Sequence, residues 1–189
     1  VIITTDNGYF VVLDQKNGLP VIEQRVANSS GSNPVARLVD MDSTPLVANG
    51  VLYGAAYQSM IFAVDLQQGQ PLWQQEQTST QKDIAINRAG LYLVTDTDHL
   101  VALNPQDGKI RWQNDRLEGR RLSPPFALAD GRLGVLDYEG WLHWLDGASG
   151  ELIGQQKIAS TSADTPAVVL RDSILWQLSD GTLIKFRPQ

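Results

Sequence analysis

The chain has 189 residues, 42% of them apolar and 19% charged, enough for one sizeable core and inconsistent with a disordered composition. A net charge of −6 argues against gripping a phosphate backbone through a broad basic patch, so no nucleic-acid partner is expected. Cysteine is absent, which removes disulfides, thiolate metal sites and a cysteine nucleophile, and no apolar run reaches the about 18 residues of a membrane-spanning helix.

The chain opens at Val1 without an initiator Met or an apolar leader, so any targeting segment is expected to lie outside it. Residues 1–27 read as the last three strands of a β unit. Residues 27–39, with Asn28-Ser29-Ser30-Gly31-Ser32-Asn33-Pro34 inside, read as a stretched loop. The next unit, 37–77, has the clearest grammar. A strand over 44–48 meets an Asn49-Gly50 turn, a second covers 51–57, Gln58-Ser59 turns again, a third covers 61–66, and the last covers 71–77. Complete units follow at 82–116 and 120–158, and 162–189 supplies the first three strands of another. No window sustains the apolar stripe of a helix. The expected class is therefore all-β, a propeller of four-stranded antiparallel blades, present here as its C-terminal portion.

One phrase recurs through these units. Ala63-Val64-Asp65-Leu66-Gln67-Gln68-Gly69-Gln70-Pro71-Leu72-Trp73 and Ala102-Leu103-Asn104-Pro105-Gln106-Asp107-Gly108-Lys109-Ile110-Arg111-Trp112 share Ala-x-(Asp/Asn)-x-x-x-Gly-x-x-x-Trp. Weaker copies run from Asp14 to Gly18, with Ile22 in the Trp place, and from Asp146 to Gly150, with Gly154 there. The spacing of about 40 residues is that of a stacked array, each unit hiding its apolar face on the next. A second register agrees: Gly8, Ser59, Asp98, Gly140 and Gly181 stand at one constant offset before Asp14, Asp65, Asn104, Asp146 and Arg187. In the phrase, Gly is expected where a turn needs positive φ or close approach. Asp or Asn is expected to accept backbone N–H groups of the same turn. Trp would lie on a neighbouring unit while its indole N–H finds a carbonyl. Asp65, Gly69, Trp73, Asn104, Gly108 and Trp112 are thus the candidate blade-docking residues.

Residues with chemistry are few. His99 and His143 are the only histidines and fall in different units, so no Ser-His-Asp arrangement can be argued. Alternation sets His143 on one strand face with Trp141 and Leu145, as a structural residue. Arg116, Arg120 and Arg121 with Glu118 read as a solvated, self-paired loop. Asp40 and Asp42, spaced to reach one cation together, lack the further oxygen ligands that calcium requires. The stretched loop before them would emerge on the same side, and loops on a rigid scaffold commonly carry function.

The phrase resembles the docking motif of the PQQ-like repeat, shared by quinoprotein dehydrogenases and non-enzymatic relatives. Arg37-Leu38-Val39-Asp40-Met41-Asp42-Ser43-Thr44-Pro45-Leu46-Val47-Ala48-Asn49-Gly50-Val51 is more specific. Together with Gly140-Trp141-Leu142-His143-Trp144 and Gln155-Gln156-Lys157, it resembles the BamB family, lipoprotein subunits of the outer-membrane β-barrel assembly machinery. The resemblance runs the length of the chain and corresponds to the second half of an eight-bladed ring. It implies a non-enzymatic periplasmic scaffold without cofactor or metal, held at the membrane by an N-terminal lipid anchor outside this chain. It also implies that Asp40 and Asp42 bind a POTRA domain of BamA, with Arg37 and Met41 beside them, and that unfolded outer-membrane proteins are further partners. Two alternatives stay open: a quinoprotein dehydrogenase fragment, and a periplasmic propeller for a different protein. A partial ring with open ends would also be expected to self-associate.

Overall fold

Short runs of Val, Ile, Leu, Tyr and Trp broken by Gly, Asn and Asp turns favour hairpins, and hairpins are what the chain forms. The computed structural model describes residues 1–5, 9–25, 43–56, 60–76, 78 and 80–188. All of its regular structure is β. A three-stranded sheet holds β1 (Ile2–Thr4), β2 (Tyr9–Leu13) and β3 (Pro20–Arg25). A four-stranded one holds β4 (Leu46–Ala48), β5 (Val51–Ala56), β6 (Met60–Asp65) and β7 (Gln70–Gln75). Two more follow: β8 (Ala85–Ile86) to β11 (Ile110–Asn114) through β9 (Leu91–Val94) and β10 (Leu100–Leu103), and β12 (Phe126–Ala127) to β15 (Leu152–Lys157) through β13 (Arg132–Leu136) and β14 (Trp141–Asp146). The last has β16 (Val168–Val169), β17 (Ile174–Gln177) and β18 (Leu183–Phe186). Every pairing is antiparallel between strands consecutive in the chain.

The chain forms two compact units, Val1–Gln81 with Pro105–Gly108, and Lys82–Asn104 with Lys109–Gln189. In the first, Phe10, Leu52, Met60, Phe62 and Val64 make a core cluster. In the second, Tyr92, Leu100 and Ala102 pack with Leu133, Val135 and Leu145, while Phe126, Leu142 and Trp144 pack with Ile174 and Trp176. Middle strands are covered on both faces, so β9 and β10 are buried throughout and read as unbroken apolar runs rather than alternations. Burial of this kind contributes roughly 25 cal/mol per Å² of apolar surface.

Strand β4 begins at Leu46, two residues later than the sequence suggests. Pro45 has no N–H to give a ladder. Ser43 pairs by its side chain instead: its Oγ donates to the Ala55 carbonyl (3.1 Å) and accepts the Ala55 N–H (3.0 Å). Ser123 repeats half of this device, its Oγ accepting the Leu136 N–H at 3.0 Å. The Asn49-Gly50 turn has φ of 52° and 79°, the left-handed pair that matches strand twist. The Gln58-Ser59 turn lies outside the described residues.

Each outer hairpin carries a bulge at the same place. The register steps between Val12 and Leu13, Ala63 and Val64, Ala102 and Leu103, and Trp144 and Leu145. Val21, Leu72, Arg111 and Ile153 are the residues passed over on the outer strands. The extra residue bends the strand and re-aims the side chains beyond it. It therefore decides where the Trp of the phrase points.

The last glycine of each phrase has two demands upon it, which two positions separate. Gly18 and Gly150 share a left-handed φ of 71° and 76°. A Cβ on Gly18 would meet nothing within 4 Å, whereas one on Gly150 would lie 2.6 Å from the Trp112 ring. Gly18→Ala should therefore cost about 1 kcal/mol for backbone strain alone. Gly150→Ala should lose about 1–3 kcal/mol more through overpacking. Urea unfolding of the two variants checks this, and equal losses would show that the ring seat does not matter.

Candidate functional site

The turn that the phrase builds is made from its own residues. Asp65 Oδ1 accepts the N–H groups of Gln67 (2.7 Å) and Gln68 (3.0 Å). Asp14 and Asp146 do the same for Lys16 with Asn17, and for Ala148 with Ser149. The turns then receive the tryptophans. Trp73 Nε1 donates to the Pro105 carbonyl at 2.8 Å, and its ring covers Gly108. Trp112 Nε1 donates to the Gly147 carbonyl at 3.0 Å, and its ring covers Gly150. Gly69 has Ile22 against it in the same manner.

A tyrosine joins each tryptophan, and sequence reasoning did not include it. The Tyr53 ring centroid lies 6.1 Å from Trp73, with its hydroxyl 3.4 Å from the Pro105 carbonyl. The Tyr92 centroid lies 6.0 Å from Trp112, and its hydroxyl reaches the Gly147 carbonyl (3.1 Å) and Asn87 Oδ1 (3.0 Å). Burial raises the pKa of both phenols, so they stay protonated donors. Across the sheet these residues form rows, Tyr53–Ala63–Trp73 and Tyr92–Ala102–Trp112. The alanine that opens the phrase is thus the small residue between two large rings. In the fourth sheet the row is inverted to Gly134–Trp144–Gly154. There Trp144 stands edge-on to Phe126 at 5.4 Å, with the Arg132 guanidinium over its face.

Of the candidate residues, Asp65, Gly69, Trp73, Asn104, Gly108 and Trp112 belong to this turn-and-ring arrangement. Arg37, Asp40, Met41 and Asp42 lie outside the described residues. The described chain resumes beside them at Ser43, which is 3% exposed and fixed to Ala55.

A polar cluster in the fourth sheet was missed. Asp137 is fully buried in the β13–β14 turn. Its Oδ1 accepts the N–H groups of Glu139 (3.0 Å) and Trp141 (2.9 Å). Its Oδ2 accepts Arg120 Nε (2.7 Å) and lies 2.9 Å from His143 Nε2. Arg120 also meets Glu139 at 2.9 Å, so its partners are these acids and not its loop neighbour Glu118. Glu118 instead lies 3.3 Å from His99. His143 is packed and 3% exposed, and its Nδ1 has no partner. Burial by itself would raise the Asp137 pKa, but hydrogen bonds from His143, the Trp141 N–H and Arg120 outweigh it and leave the carboxyl below its ordinary value.

The repeat register makes this cluster conspicuous. Places matching Asp137 hold Thr5, Ala56, Thr95 and Leu178, and places matching His143 hold Val11, Phe62, Val101 and Ile184. Thr5 and Thr95 close their turns from that place, accepting the N–H of Tyr9 and His99. The fourth sheet alone pairs a carboxylate with an imidazole there.

The family comparison and the curated relatives agree with one another. The family described as "Outer membrane protein assembly factor BamB" matches residues 1–114 and 101–188. The BamB of Escherichia coli K12 is 35% identical over 94% of this chain and 45% of its own length. That of Vibrio cholerae is 36% identical over 98% of this chain and 47% of its own. The chain thus spans about half the length of these relatives. Among solved structures, BamB from Moraxella catarrhalis superposes with a TM-score of 0.83 at 27% identity, covering 96% of this chain and 54% of that one. The sheets, three of them four-stranded and two three-stranded among the described residues, are accordingly blades of the β-propeller class.

The Asp137 cluster sets an acid limit on stability. A carboxyl whose pKa is lowered on folding stabilises the fold above its unfolded value near pH 4 and loses that contribution as pH falls through the folded value. Asp137→Asn should cost about 2–3 kcal/mol at neutral pH, less than for a fully buried pair because Arg120 is one-third exposed. It should also flatten the loss of stability below about pH 4. Denaturation across pH 2–7 checks both, and parallel curves for variant and parent would contradict the assignment.

Proposed function

The chain belongs to the BamB family of outer membrane protein assembly factors, and on that premise we propose that it forms part of a non-enzymatic scaffold subunit of the machinery that assembles outer-membrane proteins. The observation that carries this reading is the match to named assembly factors over 94% or more of the chain. A quinoprotein reading draws no support from these relatives, which carry assembly-factor names rather than enzyme names. We place the working protein at the periplasmic face of the outer membrane, anchored through a lipid outside this chain.

In this reading the blades are a frame and the loops do the binding. Asp40 and Asp42, flanked by Arg37 and Met41, would contact a POTRA domain of BamA, with segments of unfolded outer-membrane proteins as further clients. Two features support the choice. The carboxylates fall in the stretch that carries the family resemblance, and the chain beside them is pinned at Ser43, which holds Ala55 through both N–H and carbonyl. A fixed departure point reduces the ordering that a loop must undergo on binding.

Asp40→Arg with Asp42→Arg, introduced into the full-length protein, should weaken POTRA binding by about tenfold or more, mostly with steeper loss at low salt. A binding titration reads the affinity, and circular dichroism verifies that the sheets persist. Unchanged affinity with an intact fold would remove these residues from the interface. Loss of the fold would make them structural.

A further inference from the structure

The sequence holds three Asn-Gly pairs, Asn7-Gly8, Asn17-Gly18 and Asn49-Gly50, and the first lies outside the described residues. The other two are exposed and stand in hairpin turns, and their glycines share a left-handed φ of 71° and 79°. A Cβ would meet nothing within 4 Å at Gly18 or at Gly50, so no neighbour crowds either backbone. Residue type and exposure therefore match. Hydrogen bonding is what separates the two pairs.

At Gly18 the peptide N–H donates to the Asp14 carbonyl at 2.9 Å. The Asn17 side chain is engaged as well, its Oδ1 accepting the Leu19 N–H at 2.9 Å. At Gly50 the carbonyl is used, accepting the Leu66 N–H at 2.9 Å. The Gly50 N–H and the Asn49 side-chain amide have no hydrogen bond among the described residues. An amide carbon and the nitrogen able to attack it are thus neighbours in the chain, open to solvent and unengaged. Glycine presents no side chain to hinder their approach, and hairpin tips open locally at low cost.

We propose that Asn49 is a site of spontaneous deamidation with the Gly50 nitrogen as nucleophile, and that the fold protects Asn17 from the same reaction. The Gly50 N–H gives its proton to hydroxide, and the nitrogen attacks Asn49 Cγ. A bond forms between them, the bond from Cγ to the side-chain nitrogen breaks, and ammonia leaves with a proton taken from water. A second water then opens either carbonyl of the five-membered succinimide. One opening leaves aspartate, the other isoaspartate, whose backbone runs through the former side chain. At Gly18 the same attack must first break the hydrogen bond to Asp14 and free Asn17 Oδ1 from Leu19. The two products differ in consequence. Aspartate before glycine suits the same left-handed turn. Isoaspartate adds a methylene to the backbone of a two-residue loop, which displaces Ala48 from its place opposite Val51 and the Gly50 carbonyl from Leu66.

Incubating the chain in mildly alkaline buffer, folded and in urea, tests this, with both sites followed by peptide mapping and mass spectrometry. In the folded chain Asn49 should deamidate about fivefold faster than Asn17 or more, the factor that one hydrogen bond's free energy makes in a rate. In urea the two rates should converge, because both residues precede glycine. Equal rates in the folded chain, a faster Asn17, or a gap that persists unchanged in urea would each overturn the proposal. The products are separated by isoaspartyl methylation, which marks isoaspartate and passes over aspartate. Asn49→Asp should keep the urea midpoint of the parent, whereas aged chain enriched in isoaspartate at Asn49 should unfold at lower urea. A midpoint common to parent, variant and aged chain would overturn the effect assigned to the hairpin.

Discussion

A single peptide carbonyl, approached by two aromatic side chains, is the constraint on which the rest of this fold depends. Pro105 and Gly147 occupy the same place in successive turns, and each offers its oxygen to an indole N–H with a tyrosine hydroxyl alongside. The rings cannot reach those oxygens unless the turn beneath them is bare, which is why Gly108 and Gly150 stand there. In the Gly147 turn the Asp146 carboxylate holds the shape, accepting the N–H groups of Ala148 and Ser149. The outer strand cannot deliver its Trp without the bulge just before it. Removing such a buried aromatic typically costs about 3–5 kcal/mol, and here it would also strand a carbonyl. The hairpins that turn at Gly108 and Gly150 are therefore each completed by a side chain from another hairpin, so part of their stability is an interface contribution rather than their own.

Variation in the rows shows how the same space is filled in different ways. Tyr–Ala–Trp becomes Gly–Trp–Gly in the fourth sheet, moving the large ring to the centre while the flanks empty. The row itself becomes smaller, and the Phe126 ring fills the space over Gly134, so that the interior stays close-packed. Trp144 loses the turn contact in this arrangement and gains Phe126 and Arg132 instead.

Much of this was legible in the sequence because it is repeated. Gly, Asp and Trp of the phrase each have a local physical reason, and recurrence at Asp14, Asp65, Asn104 and Asp146 separated signal from coincidence. The alanine opening the phrase was not explained, since its role lies across strands, between Tyr53 and Trp73, where no local rule applies. The Arg120–Asp137–His143 cluster was missed because its members come from a loop, a turn and a strand, and pairing across such separations is not encoded in spacing. Its signal was nonetheless present: aligning the turns sets Asp137 and His143 against residues such as Thr95 and Val101, where two polar residues at packed places stand out. The expected β4 is too long because Thr44 and Pro45 read as β-compatible, when Pro45 lacks a ladder donor and the neighbouring Ser43 pairs with Ala55 through its hydroxyl. Arg37, Asp40, Met41 and Asp42 fall outside the described residues, so their reading rests on resemblance alone.

The bulges have a practical consequence. Val21, Leu72 and Ile153 are passed over by the register and are 66%, 50% and 54% exposed, so their side chains carry little of the packing. The chain contains no cysteine. A thiol placed singly at any of the three would be unique in the sequence and open to solvent, on an outer strand whose neighbours hold the backbone still. Three chemically addressable points thus stand on three different sheets, suited to fluorophore pairs or spin labels that measure how the blades are spaced while the protein is at work.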